Sequence, residues 1–410
     1  PTNRASCDET STQPAVKNSL LWTVWIWCGS CLFTFMMKKE HWKLAELCLA
    51  GHLIMYAWIP LHGQAEPGKP QGPKNVILMI GDGMGLSQLS AAYYFPDEKD
   101  KDREPAFSRF RYIGLCRTSS GAEVVTQSSA AATALATGYK TYNLAIGVDL
   151  DTVIRENIME LLSKKGFLTG IIATSHMVDA TPAGFYAHQP ERYMYPEIAM
   201  DLLRSDIDFF AGGGSKYFRD STGVYPFEDY GIEVNWSKLK KIRKPEKGER
   251  FGFLLGLEYM PTMEQGRGDF LPKATSIAVD FLSTGEAGYF LMVEGSQIDW
   301  AGHGNQKDFM IAEVNDFERT VNQVLDYAEK DGETLVIVTA DHETGGFTLG
   351  AAGDNYSGAD YSVIEPTFAT TNHSAALVPV FAFGPGAENF MGVYENTEIF
   401  HKLVFLLESE

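Results

Sequence analysis

The chain has 410 residues, of which 45% are hydrophobic and 12% aromatic, enough apolar material for one large α/β domain or two ordinary ones. That composition excludes a disordered chain. The formal net charge of -19 excludes a nucleic-acid binder, which needs a basic face, and admits an anionic substrate only where local cations overturn the overall field.

The first 65 residues differ from the rest. Four of the five cysteines lie there (Cys7, Cys28, Cys31, Cys48), which leaves Cys116 alone in the body, with no internal disulfide available to it. The Cys28/Cys31 pair has no second Cys/His pair at zinc-finger spacing, so neither a zinc nor a redox role is expected there. Leu20 to Met37 is an uncharged run of 18 residues, near the lower limit for crossing a bilayer. A basic patch from Met37 to Lys43 follows, then an apolar stretch from Leu47 to Leu61, then Gly63-Gln64-Ala65. Basic start, apolar middle and small-residue exit are the parts of a signal peptide. Residues 37–65 are therefore expected to be a signal peptide cleaved after Ala65, and residues 1–36 an upstream extension. The competing expectation is one or two membrane anchors, disfavoured by His52 and by the shortness of the second apolar run. Residues 66–72 read as a Pro/Gly-rich linker. Beyond residue 65 there remain 29 Lys/Arg against 49 Asp/Glu, or -20.

From Asn75 the pattern becomes α/β. Asn75 to Ile80 is an unbroken apolar run ending in Gly81-Asp82-Gly83-Met84-Gly85, which suits a buried parallel strand. A helix is expected near Val153 to Lys165, strands at Gly166 to Thr174 and Tyr289 to Val293, and a helix at Asp316 to Lys330. Further strands are expected at Thr334 to Thr339 and Leu377 to Phe383. Residues 212–275 are less regular, with a basic cluster from Lys238 to Lys247, and read as a small surface insertion or cap. The expected fold is a doubly wound, mostly parallel sheet flanked by helices, with no large crown. Ligands of such sheets bind beyond the carboxyl ends of the strands. Polar residues recur there: Asp82, Glu294, and Asp341 with His342.

Three stretches carry chemistry. In Thr126-Gln127-Ser128-Ser129 a polar turn meets an Ala-rich helix. Unpaired backbone N–H groups and the positive end of the helix dipole favour an anion there. One serine can be a cap or a nucleophile. Glu294 to His303 holds Asp299 and His303 four apart, on one face of a helical turn. Asp341-His342 and Asn372-His373 add further imidazole and carboxylate. Carboxylates and histidines in several strand-end loops point to a multi-metal site.

These motifs resemble, in order, those of the bacterial alkaline phosphatases: NVILMIGDGMG at Asn75, VTQSSAAATALATG at Val125, DATPAGFYAHQPER at Asp179, VEGSQIDWAGHGN at Val293, TADHETGG at Thr339 and NHSAALVPVFAFGP at Asn372. The resemblance spans residues 73–408. It implies Ser128 as a nucleophile that becomes phosphoserine. It implies Asp82, Asp341 and His342 around one zinc, and Asp299, His303 and His373 around a second. Asp82, Thr181 and Glu294 match a magnesium site, Asp179 an outer carboxylate there, and Arg192 a phosphate-gripping arginine. Two zinc ions about 4 Å apart can clamp both apical oxygens of an in-line phosphoryl transfer, one of them activating the Ser128 oxygen. The implied activity is hydrolysis of small phosphate monoesters by an exported, periplasmic or secreted enzyme; relatives are commonly dimers. Alternatives on the same scaffold are a phosphodiesterase or sulfatase, or a non-catalytic phosphate binder. Two residues depart from the pattern. Gln127 stands where relatives often carry an arginine-orienting Asp, so Arg192 is expected to be looser and phosphate less tightly held. Trp300 stands where several relatives carry Lys or His.

Overall fold

The computed structural model describes residues 22–28, 31–37, 72–220, 222–224, 227–242, 248–353 and 356–408. The expected cleavage point after Ala65 and nearly all of the linker lie outside the described residues. Ahead of them, Trp22–Cys28 and Cys31–Met37 pair antiparallel, with Cys28 opposite Cys31. Both strands lie within the uncharged 18-residue run, whose Trp, Val, Ile, Phe and Thr suit a pleated strand. Among the described residues no helix is long and apolar enough to cross a membrane.

From Asn75 onward the chain builds a ten-stranded sheet. In chain order its strands are β1 (Asn75–Gly81), β2 (Tyr112–Arg117), β3 (Leu168–His176), β4 (Phe209–Gly213), β5 (Ile232–Asn235), β6 (Arg250–Leu254), β7 (Tyr289–Gly295), β8 (Thr334–Thr339), β9 (Val378–Phe383) and β10 (Gly392–Glu395). Across the sheet they lie in the order β10-β2-β9-β8-β1-β7-β3-β4-β6-β5. β9 runs antiparallel to both neighbours; every other pairing is parallel. The mostly parallel, helix-flanked sheet expected from the sequence is the one observed.

The centre of the sheet explains its apolar runs. β1 sits between β7 and β8, and all seven residues of β1 are buried, as are all of β7 and β8. Helices cover both faces of such a strand, so no alternation survives. The edges read differently. Tyr112–Arg117 alternates and gave no strand signal in the sequence. Residues 232–235 and 250–254, within the stretch read as an insertion, extend the sheet as β5 and β6. Between Gly346 and Asn372 the described residues form two paired strands, Thr348–Ala352 against Asp360–Thr367, and a short 3-10 turn at Tyr356–Gly358.

Two helix boundaries shift for local reasons. The helix expected from Val153 begins at Ile158, because Asn157 accepts from the Met159 and Glu160 N–H groups while Glu160 accepts from Asn157 N–H. That reciprocal cap sets the start, and Val148 and Ile154 form a short bridge instead. The helix expected from Asp316 starts nine residues earlier and spans Lys307–Asp331. Phe309, Met310 and Val314 are buried there, so tertiary packing extends it.

The topology delivers one rim. The carboxyl ends of β1, β3, β7 and β8 all point to it. β2 runs the same way, and its end leads to the loop before Ser128. Because β9 is reversed, its amino end lies on that rim too, which brings in His373 just before it.

Candidate active site

Ser128 is the first residue of the helix Ser128–Thr137, and it is buried. The capping position belongs to Gln127, whose side chain makes no capping hydrogen bond. This corrects the reading of Ser128 as the cap. Asn143 holds the turn instead: its Oδ1 accepts from Gln127 N–H at 2.8 Å and its Nδ2 donates to the Val125 carbonyl at 3.1 Å. Ser128 Oγ lies 3.2 Å from His342 Nε2.

Two groups of ligand-type side chains converge here: Asp82, Asp341 and His342, all buried, and Asp299, His303 and His373. In the first group, Asp341 Oδ1 accepts from the N–H groups of Gly83 (3.1 Å) and His342 (2.9 Å). Asp82 Oδ1 and Asp341 Oδ2 are buried without a hydrogen-bond partner, and His342 Nε2 lies 3.6 and 3.2 Å from them. Buried acceptors left open in this way suit a cation. Gly83 has φ +70°, and a Cβ there would sit 2.8 Å from Asp299 Cα, so the turn admits only glycine.

The second group has its own logic. Asp299 and His303 lie four apart on the helix Gln297–Gly304. His303 Nδ1 faces the Thr371 carbonyl at 2.6 Å, and His373 Nδ1 faces that of Thr126 at 2.8 Å. Carbonyls only accept, so each Nδ1 carries a proton, and in the neutral ring each Nε2 presents a lone pair. Those two Nε2 atoms approach to 3.1 Å, each 3.4 Å from an Asp299 oxygen. Two lone pairs and a carboxylate directed at one point form a metal-type donor set.

The sequence missed the residues that join the groups. Thr344 Oγ1 donates to Asp299 Oδ1 at 2.5 Å and lies 3.2 Å from His342 Nδ1, so one hydroxyl orients a ligand in each group. Glu343 takes Gln88 Nε2 (2.6 Å) and Phe347 N–H (3.1 Å) on one oxygen and Ser374 Oγ on the other, which ties the 341–344 loop to the 372–374 segment. The only signal was position within Asp341-His342-Glu343-Thr344.

Glu294 ends β7, where its Oε2 accepts from Ser296 Oγ at 2.6 Å and Ser175 Oγ at 3.3 Å. Thr181 is buried one residue into the short helix Ala180–Ala183, after Asp179. Asp179 Oδ1 accepts from Ala180 N–H and from Arg192, both at 2.8 Å. Asp179, rather than Gln127, therefore orients the guanidinium.

Electrostatics follow from crowding. Burial, then Asp341, Asp299, Glu294 and Asp179, push the Asp82 carboxyl far above its ordinary value. Burial lifts Glu294 to about 8 and Asp341 to about 6. Burial also acts on Asp299, but its contact with His373 and the neighbouring imidazoles outweigh it and bring it to about 2. Burial depresses His342 well below the usual histidine range. Buried carboxylates this close are stable as anions only with cations among them.

A model of the family described as alkaline phosphatase matches residues 73–366. The chain belongs to the alkaline phosphatase family. Alkaline phosphatase 3 of Bacillus subtilis (strain 168) is 33% identical to it, covering 82% of this chain and 89% of that protein. The alkaline phosphatase of Escherichia coli (strain K12) is 28% identical, covering 80% and 85%. Among solved structures, alkaline phosphatase from the Antarctic bacterium TAB5 superposes with a TM-score of 0.79 at 48% identity, over 83% of this chain and 99% of that one. A mutant of that enzyme holds magnesium in its M3 site. The present chain is thus an alkaline phosphatase-type enzyme with two candidate metal-binding groups at the rim of its sheet.

Proposed function

We propose that the enzyme hydrolyses phosphate monoesters through a phosphoserine at Ser128, and that it is exported. One observation carries the catalytic reading: Ser128 Oγ opens a helix 3.2 Å from His342, a member of one of two adjoining acceptor-rich groups. Asp82, Asp341 and His342 would hold one zinc, Asp299, His303 and His373 a second, and Asp82, Thr181 and Glu294 a magnesium, with Asp179 outside it. The donor chemistry fits: imidazole with carboxylate for zinc, and oxygens alone for magnesium. When bound, these ions supply Lewis-acid stabilisation of the charge that develops on the transferring phosphoryl group.

The chain's own residues do the rest. The N–H groups that open the helix at Ser128 lack helical partners and attract the phosphoryl oxygens. Arg192, steadied by Asp179, presents a planar fork to two non-bridging oxygens. Ser128 Oγ loses its proton to solvent and forms a bond to phosphorus as the bond to the leaving oxygen breaks; the departing alkoxide takes a proton from solvent and leaves as the alcohol. Water then attacks the phosphoserine, releases inorganic phosphate and restores the hydroxyl.

The test is p-nitrophenyl phosphate hydrolysis with zinc and magnesium, before and after EDTA, beside bis(p-nitrophenyl) phosphate. Metal-dependent turnover of the monoester, faster than the diester, is the expected result. Faster diester turnover would favour a phosphodiesterase. Phosphate binding without turnover would leave only a binder. Export is supported by the residue 37–65 pattern; amino-terminal sequencing of the protein recovered from outside the cytoplasm should begin at Glu66.

A further inference from the structure

Beside Arg192 and Asp179 lies an arc of rings that the proposed chemistry does not use. Tyr195 and Tyr217 pack against each other at 4.8 Å between centroids, and both contact His176, at 5.5 and 4.7 Å. Tyr193 extends the arc toward Arg192, 6.3 Å from Tyr195, with the guanidinium carbon 5.8 Å from its centroid. The arc continues onto a second segment. Ser215 and Lys216 N–H donate to the Gly256 and Leu257 carbonyls at 3.0 Å, and Lys216 pairs with Glu258 at 2.5 Å. Next comes Tyr259, whose ring meets Trp300 edge-on at 4.8 Å and 71°. A Cβ at Gly213 would lie 2.5 Å from Tyr259 Cα, so glycine permits this approach. Trp300 directly follows Asp299. The arc therefore starts beside Arg192 and ends at Trp300, the residue after Asp299 on the helix Gln297–Gly304.

A cluster that served only packing would cover its rings. Here Tyr193 is 55% exposed and Tyr259 41%. The backbone beneath Tyr259 is nevertheless held: Met260 N–H donates to the Thr174 carbonyl at 3.2 Å, and Gln297 Nε2 donates to the Met260 and Thr174 carbonyls at 2.7 and 2.9 Å. Exposed rings on a fixed backbone bind with little ordering cost.

We propose that Tyr193, Tyr259 and Trp300 form a leaving-group subsite selective for phosphate monoesters whose leaving group carries an aromatic ring. This inference rests on the phosphomonoesterase reading above. Offset or edge-on contact between π-systems adds attraction that a saturated ring of similar size does not receive.

Phenylphosphonate and cyclohexylphosphonate test it, because neither is cleaved and leaving-group acidity plays no part. Inhibition constants for both, and for inorganic phosphate, are measured on the zinc- and magnesium-loaded enzyme. Phenylphosphonate should bind about 2- to 12-fold tighter than its saturated counterpart. The double variant Tyr259→Leu/Trp300→Leu should bring that ratio most of the way to one, leaving only the Tyr193 contribution. The single variants Tyr193→Leu and Tyr259→Leu, at exposed rings, should each lower it and carry the test if the double variant does not fold. A ratio of one in the unaltered enzyme, or one that survives the substitutions, overturns the subsite. If inorganic phosphate does not inhibit and no monoester is hydrolysed, the phosphomonoesterase reading itself fails and the subsite falls with it.

Discussion

Thr344→Val isolates the hydroxyl that joins the two ligand groups. Valine keeps the branched shape, and the Thr344 methyl group that packs close to Gly302 is retained. What disappears is the 2.5 Å bond to Asp299 and the 3.2 Å contact with His342 Nδ1. A hydrogen bond to a charged group contributes about 1.5–3 kcal/mol, and an orphaned buried N–H costs about 1–3 kcal/mol. The two losses share one atom and the loop can relax, so the expected destabilisation is about 3 kcal/mol rather than the full sum. Both Asp299 and His342 also lose an orienting partner, which typically lowers metal affinity by about 10- to 100-fold. Urea denaturation of the metal-free protein measures the first effect, and zinc competition against a chromophoric chelator the second. Thr344→Ser, which retains the hydroxyl, should recover most of both. A Thr344→Val protein matching the parent in both measurements, or a Ser variant as impaired as Val, would refute the reasoning.

Three other outcomes follow from named contacts. Ser128→Ala should abolish acid-stable phosphate labelling of the protein while Ser129→Ala retains it, since only Ser128 Oγ faces the ligand groups; the reverse pattern in a labelled-peptide map would shift the nucleophile by one residue. Arg267 is buried against Glu313 and Asp316, at 2.9 Å from the latter, and Arg319 reaches the other Asp316 oxygen at 2.6 Å, so Arg267→Met leaves Glu313 without its cation and Asp316 with one of two and should cost about 3–5 kcal/mol in denaturant titration; a loss under about 1 kcal/mol would show that Arg319 already neutralises the cluster. For His188, burial lowers the imidazole, but hydrogen bonds to Glu160 and the Gly147 carbonyl prevail and hold it above 6.5; burial raises Glu160, and His188 with the Asn157 N–H outweighs this and holds it below 4.5. A raised histidine stabilises below its ordinary value and that contribution is lost as pH rises through the folded value; a depressed glutamate stabilises above its own ordinary value and loses this as pH falls. The link is therefore fullest between 4.5 and 6.5. Melting temperature should fall from about pH 6 to 9, and less steeply in His188→Gln; superimposable curves would dismiss the link.

Much of the site was legible because its chemistry sits in short motifs. Asp82, Glu294 and Asp341-His342 end apolar runs that can only be central strands, and Asp299 and His303 share a helical face by spacing alone. The sequence by itself determined the buried centre of the sheet, since complete burial on both faces demands unbroken apolar runs. It also determined which loops carry carboxylate and imidazole. Only the tertiary structure decided how those loops meet. The reversal of β9 places His373 on the rim, and no local pattern encodes a strand's direction. Thr344 becomes a bridge because Asp299, 45 residues away, and His342, two residues away, arrive at one hydroxyl. Arg192 is steadied by Asp179 rather than by Gln127, the residue before Ser128. Strands β2, β4, β5, β6 and β10 escaped notice: β2, β5 and β10 are partly exposed and need few apolar residues, β4 and β6 are short buried runs that contain glycine, and the pairing of all five is set by neighbours far along the chain. Local periodicity reports burial; partners, direction and the aim of a lone pair are settled by contacts between distant residues.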